Sequence, residues 1–389
     1  MCLQADKAFR RELSVMSQDE TSPPPTVASR SVVLDALRFL AAGLIVLYHY
    51  QAEGPAPLGQ LSPVFLRGYL ATDFFLILSG YVLGRAYGRK VAAGAISDEQ
   101  FLLRRVLRVW PAHLTMLAAF AALMIICTAL GLSPAKADEF RWAELPGQAL
   151  LIHAWGLNTG AGWNLPTWSL SALVVCYAAF PTLWRKLGRI RSGALLFLGG
   201  LAVVGVADLL SRSLYGQPLY DLAFNLGVLR ALPLFAFGAC IARADALDWI
   251  PARWAAGLTL AAGLAVAGLQ ELGRFDLVSV ALLGLLVGAG GAVRTTRGAT
   301  LTARAGQISF ALYITHIFVA TVWFHAARLA AAHYHLPLWA QWTLWALALP
   351  VAAATAIAFE RFVDRPLQAL VARGLAARQG RVNAGLAAS

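Results

Sequence analysis

Ten apolar runs follow one another along this chain, separated by short polar segments. Most of them approach the roughly 20 residues that a helix needs to cross a bilayer. They cover Val33–Tyr50, Val64–Tyr87, Val109–Leu132, Trp168–Trp184, Gly193–Leu210, Leu226–Ala242, Trp254–Leu272, Leu277–Val293, Ile308–Ala332 and Trp339–Phe359. The chain is 59% hydrophobic and 13% charged, against roughly 25% charged residues in a soluble domain. Lipid is the solvent this composition requires. The expected fold is therefore all-α, a polytopic integral membrane helical bundle of about ten transmembrane helices. Leu145–Trp155 is too short to span and reads as an interfacial or re-entrant segment.

The net charge of +12 comes from 32 Lys and Arg against 20 Asp and Glu. The basic residues lie between the apolar runs rather than on one patch, which fits the positive-inside rule and not nucleic-acid binding. Arg85, Arg89, Lys90, Arg185, Lys186, Arg294 and Arg304 share one side if the spans alternate, and that side is expected to be cytoplasmic, together with both termini. The expected division is a disordered basic cytoplasmic arm over 1–31, a membrane domain over 32–367, and a flexible basic cytoplasmic tail over 368–389, with no soluble domain. Cys127, Cys176 and Cys240 fall in apolar runs, and no cysteine pair has metal or disulfide-framework spacing. P-loop, HExxH, GxSxG and EF-hand patterns are absent, so nucleotide hydrolysis and zinc chemistry have no support in the sequence.

Ionisable groups at membrane depth are costly and tend to face a bundle interior or a wet cavity. The first span holds Asp35, Arg38 and His49. Eleven residues make three turns plus about 20°, so Arg38 and His49 share one face about 16 Å apart along the axis. Snorkelling of Arg38 and an interfacial place for His49 are the structural alternative. The second span carries Asp73, then Ser79-Gly80, a pair suited to close helix approach or a local break. Arg104, Arg105 and Arg108 cluster before the third span, with Pro111 tolerated in a first turn or as a kink. Such arginines hold phosphates bidentately or anchor the protein on anionic lipid. Trp168 and Tyr177 are aromatics of the fourth span, and His316 is a second histidine at membrane depth.

In this order the segments resemble membrane acyltransferase family 3, integral membrane O-acyltransferases that act on sugars, lipopolysaccharide, exopolysaccharide and related molecules. The resemblance runs from about Leu34 to Leu367. Arg38 and His49 match an Arg-x10-His signature. ATDFFLILSGY carries Asp73, Ser79 and Gly80, and RRVLRVWP carries Arg104, Arg105, Arg108 and Pro111. WSLSALVVCYAAFP carries Trp168, Ser169 and Tyr177, GQISFALYITHIF carries Ser309, Tyr313 and His316, and FERFVDRPL carries Asp364. One position departs: Leu173 stands where the family has an acid, leaving Asp35, Asp73 and Glu360 as carboxylates to compensate.

The resemblance implies transfer of an acyl group, acetyl above all, from acyl-CoA to a hydroxyl of a carbohydrate or glycolipid, in the bacterial inner membrane. Acyl-CoA is then a donor substrate, and no permanently bound cofactor, metal or nucleic acid is expected. A hydroxyl needs a positioned base, and an imidazole suits neutral pH, which makes His49 the candidate. Arg38 would serve the donor or its thioester, Asp73 completes the catalytic set, and Arg104, Arg105 and Arg108 would hold the CoA phosphates. Two other readings remain open at this point: a transporter or flippase for a glycan or lipid, and a weakened family member acting in an assembly.

Overall fold

The computed structural model describes residues 31–132, 140–156, 162–222 and 224–388, with side chains to residue 377. The amino-terminal arm, Ser31 apart, lies outside the described residues. Among those described, eleven helices of 17 residues or more and no strand form the chain. They are α1 (Val32–Tyr50), α2 (Tyr69–Ala92), α3 (Asp98–Ala129), α4 (Trp168–Leu187), α5 (Gly193–Tyr215), α6 (Gly227–Asp245), α7 (Ala252–Leu272), α8 (Asp276–Ala292), α9 (Ala299–His333), α10 (Leu338–Phe359) and α11 (Arg365–Ala388). Among the described residues, eight helices are long and apolar enough to cross a membrane. The ten expected spans coincide with α1 to α10. Two of these, α2 with its four charged residues and the 17-residue α8, fall short by composition or length and are sheltered within the bundle.

The helix edges show what apolarity alone misplaces. The second span was expected from Val64, but α2 begins at Tyr69. Ser62 caps the Val64 amide and Pro63 starts a separate turn over Pro63–Leu66, an arrangement that favours a new helical start. The third helix begins at Asp98, well before the expected Val109, because Ser97 caps it and Asp98 and Glu99 occupy its first turn. Pro111 is consequently inside α3, not in its first turn.

Crossings are set by small residues. A Cβ on Gly80 would lie 2.0 Å from the Phe235 carbonyl oxygen, and one on Gly238 would lie 1.8 Å from that of Ile77. These two glycines let the backbones of α2 and α6 touch. α1 and α9 run side by side, with Asp35 seated against Gly306 at one end and the Tyr50 hydroxyl donating to the His316 carbonyl (2.8 Å) toward the other.

Two apolar cores result. One gathers α2, α4, α5, α6 and α8; the other gathers α3, α9 and α10. α1 contributes Leu34, Ala41 and Ile45 to the first and Ala42, Val46 and Tyr50 to the second. α9 is divided likewise, with Tyr313 in the first core and Leu312 and Ile314 in the second. The seam between the cores is thus lined by α1 and α9. Outside, α5 and α7 expose Leu198, Val206, Leu209, Leu260 and Leu264, a surface that lipid accommodates and water does not.

The segment between α3 and α4 does not span. It holds a five-residue helix, Leu145–Ala149, and irregular backbone to Gly156. Side chains from two helices satisfy its carbonyls: Trp110 Nε1 donates to Ala149 (2.6 Å), and Ser171 Oγ donates to Leu151 (2.7 Å). The backbone amide of Ala154 donates to Ser171 Oγ in return. Non-helical backbone within a membrane protein persists where protein partners meet its polar groups.

Candidate active site

His49 and His316 meet on the seam. Sequence spacing of 267 residues separates them, and His316 Nε2 lies 3.0 Å from His49 Nδ1. Proton positions follow from the partners. His316 Nδ1 lies 2.8 Å from the Tyr313 carbonyl and 3.1 Å from that of Leu312. Carbonyls only accept, so His316 carries its proton on Nδ1 and presents a lone pair on Nε2. His49 Nδ1 faces that lone pair and also the Ile45 carbonyl at 2.9 Å. Two acceptors require a donor, so His49 is protonated on Nδ1 and its lone pair sits on Nε2. A base held in one tautomer by a third group is the arrangement general-base catalysis requires.

The turns around His316 are fixed by polar contacts from the entry to α4. Tyr313 Oη donates to the Pro166 carbonyl (2.7 Å) and lies 2.7 Å from Ser169 Oγ. Asn164 Nδ2 donates to the Ile314 carbonyl (2.9 Å). Ser309 bonds the Gly306 carbonyl within its own helix, as Ser79 does that of Phe75. The motif residues Ser169, Tyr313 and His316 therefore converge.

Asp73 does not join them. It is taken by Arg230, whose Nε donates to it at 2.8 Å, with both side chains almost fully buried. Arg230 also donates to the carbonyls of Tyr69 and Tyr220, and its guanidinium lies over the Trp168 ring. Asp73 and Trp168 are thus tied together through Arg230, a residue that no sequence motif marks. An arginine in the second turn of an apolar helix was the available signal, the same one that drew notice to Arg38. Asn164 and Tyr50 were also missed, since neither stands out by charge.

The carboxylates expected to compensate for Leu173 are engaged elsewhere. Asp35 pairs with Arg38 (3.4 Å), Asp73 with Arg230, and Glu360 with Arg365. Leu173 itself is buried in the first apolar core, as is Tyr177, which packs on Phe235. The group that orients His49 here is a second imidazole.

The arginine cluster is split rather than gathered. Arg104 is exposed, Arg105 donates to Tyr87 on α2 (2.7 Å), and Arg108 pairs with Asp364 (3.1 Å) and lies over Phe310. Steps of three and four residues leave 40–60° between the side chains on a helix, enough to send them to different neighbours. Asp364 closes a π-helical turn, Glu360–Asp364, between α10 and α11. Arg38 and these arginines share one end of the bundle, and His49 stands toward the other.

A multi-pass helical membrane protein with a tautomer-locked histidine pair between two cores is the class this geometry defines. The acyltransferase-domain family matches residues 32–361, and the chain belongs to that family, acyltransferase family 3. It is 36% identical over 137 residues to "Protein 2 in picA locus" of Rhizobium radiobacter, covering 35% of this chain and 65% of that protein. It is 30% identical over 172 residues to acyltransferase MdmB of Streptomyces mycarofaciens, covering 43% of this chain and 42% of that one. The matched segments span less than two thirds of either relative. No solved structure matches the chain significantly.

Proposed function

We propose that this protein is an acyl-CoA-dependent O-acyltransferase that moves an acyl group, acetyl above all, to a hydroxyl of an exported carbohydrate or glycolipid. The observation that carries the proposal is the His49–His316 contact, which leaves the His49 lone pair on Nε2. In the reaction, His49 Nε2 takes the acceptor hydroxyl's proton as its oxygen attacks the thioester carbonyl. The C–S bond then breaks, the ester forms, and the proton passes from His49 to the departing CoA thiolate. The imidazolium that forms in between keeps its Nδ1–H on His316 and Ile45, which stabilises it without a carboxylate.

Acyl-CoA approaches from the arginine-rich end, which we take to be cytoplasmic on the basis of charge. Arg104, exposed at that end, meets its phosphates, with Arg105 and Arg108 contributing from the separate positions that Tyr87 and Asp364 set. Arg38 lies about 16 Å from His49 along α1, a distance suited to an extended pantetheine arm. The family match favours acyl transfer over the transporter alternative. The inner bacterial membrane is the compartment where cytosolic acyl-CoA and exported glycans meet.

The test is transfer by the full chain in proteoliposomes supplied with labelled acetyl-CoA, together with mass spectrometry of surface glycans from cells with and without the gene. Label transferred in the reconstituted system and an acyl mass lost on deletion are the expected results. Intact glycan masses in the deleted strain and no transfer in vitro would overturn the reading.

A further inference from the structure

A cavity of about 320 Å³ lies between α2, α5, α6 and α8 at the end of the bundle remote from the arginine cluster. Its size falls in the range of small-ligand sites. Its lining is ordered along the helix axes. Asp208, Arg230 and Asp276 line it on α5, α6 and α8, and so do Val204, Leu234 and Val280. Each apolar residue is four positions from its polar counterpart, about 6 Å along a helix. α5 runs toward this end while α6 and α8 run away from it. Val204, Leu234 and Val280 therefore all lie one turn deeper, and the cavity is polar at its rim and apolar below.

The mouth opens sideways. Phe275, Leu277 and Val278 line it and are 55%, 44% and 49% exposed, on the apolar flank of the bundle. A ligand that enters there comes from lipid. The rim also selects its head. Each rim carboxylate has its own arginine, Asp73 with Arg230, Asp208 with Arg212 and Asp276 with Arg67, so no cation of the lining is left over for an anionic head. Burial pushes the nearby Asp221 carboxyl above its usual range, with Arg230 opposing and Asp276 adding to the rise. A phosphate would meet carboxylates, whereas hydroxyls can donate to them. Tyr220 adds an aromatic ring at the same level.

We propose that this cavity binds a neutral glycolipid, its sugar among Asp208, Arg212 and Tyr220 and its chain along Val204, Leu234 and Val280. Resting on the proposed acyl transfer, the acceptor is then presented from the bilayer as a lipid-linked sugar. Neither histidine lines the cavity, but side-chain contacts run between them: Arg230 lines it and lies over Trp168 at the entry to α4, whose neighbour Ser169 contacts Tyr313, one turn before His316.

The experiment uses the full chain in phosphatidylcholine nanodiscs and dodecyl β-D-glucoside bearing a tail diazirine. Irradiation and peptide mapping should place the label on α5 and α8, reduced at least tenfold by unlabelled dodecyl β-D-glucoside and little by dodecylphosphocholine. Val278→Trp, at the half-exposed mouth, should lower labelling about tenfold, and Arg212→Ala several-fold. Label spread evenly over the lipid-facing helices, equal competition by dodecylphosphocholine, or normal labelling of well-inserted Val278→Trp each overturns the proposal; the second would mark a phospholipid crevice only. Labelling needs no acetyl-CoA. Failure of acyl transfer in the assays above is therefore read independently of failure here.

Discussion

Asp73 with Arg230 and His49 with His316 are both polar pairs that join distant helices, but their bonding capacity is spent differently. Arg230 is used on three sides, by a carboxylate and two carbonyls. Nothing in that set has to change protonation for it to hold α2, α6 and the Tyr220 loop together. In the histidine pair, each carbonyl contact forces the next nitrogen's role, and the chain of roles assigns the lone pair of His49 to Nε2. The first pair is arranged to hold position, the second to accept a proton. Asp73, Arg230 and His316 are all buried, so it is the hydrogen-bond accounting, not burial, that separates the two pairs.

That contrast is most directly broken at His49. His49→Ala is expected to lower acyl transfer by about 10²–10⁴-fold, while fluorescence-detected size exclusion shows normal insertion and a normal melting temperature. A parallel loss of folded protein would make His49 a structural residue instead. The next largest effect belongs to its partner. His316→Phe should cut kcat by about 10²-fold, the scale of a single positioned group, leaving the KM for acetyl-CoA unchanged. His316→Gln, which can still present an acceptor oxygen, should recover part of the rate; equal rates for the two variants would argue that His316 only fills space.

At Arg230 the expected loss is in stability. Arg230→Ala leaves a buried carboxylate unpaired, at a cost of about 3–5 kcal/mol, seen as a lower melting temperature and reduced yield in detergent. The double change Arg230→Met with Asp73→Leu should restore yield, since two apolar groups need no partner. If transfer returned with it, Asp73 would be excluded from catalysis; if folding returned without transfer, its role would move beyond support. The smallest effect is expected at the arginine-rich end. Arg108→Ala should raise the acetyl-CoA requirement several-fold, with Arg108→Lys rescuing in part because a point charge lacks the guanidinium fork.

Much of this was legible from the sequence because lipid imposes a simple rule on helix length and polarity. The helical bundle, with eight of its helices apolar and long enough to span, and the non-spanning Leu145–Trp155 segment follow from it, and the same rule is what draws attention to His49. Helix starts were less legible where capping governs them: Ser62, Ser97 and the residues after them shifted α2 and α3 from the apolar boundaries. Pairings were not legible at all. His316 could be named from its motif, but its contact with His49 depends on how α1 lies along α9, a tertiary fact. The three arginines looked like one patch because a helical wheel shows proximity on the helix and not the neighbours, Tyr87 and Asp364, that draw them apart.

The non-spanning segment also constrains the order in which the protein can be built. Its carbonyls rely on Trp110 before it and Ser171 after it, and its last turn pairs with Asn225 and Val228 at the start of α6. At ribosomal speeds of about 5–20 residues per second, the stretch between Trp155 and Val228 takes roughly 4–15 s to emerge. During that interval the segment has only part of its partners and must wait in the translocon or at the bilayer surface. Nascent chains arrested before α6 should therefore keep this segment open to water-soluble labelling reagents, and chains arrested beyond it should protect it.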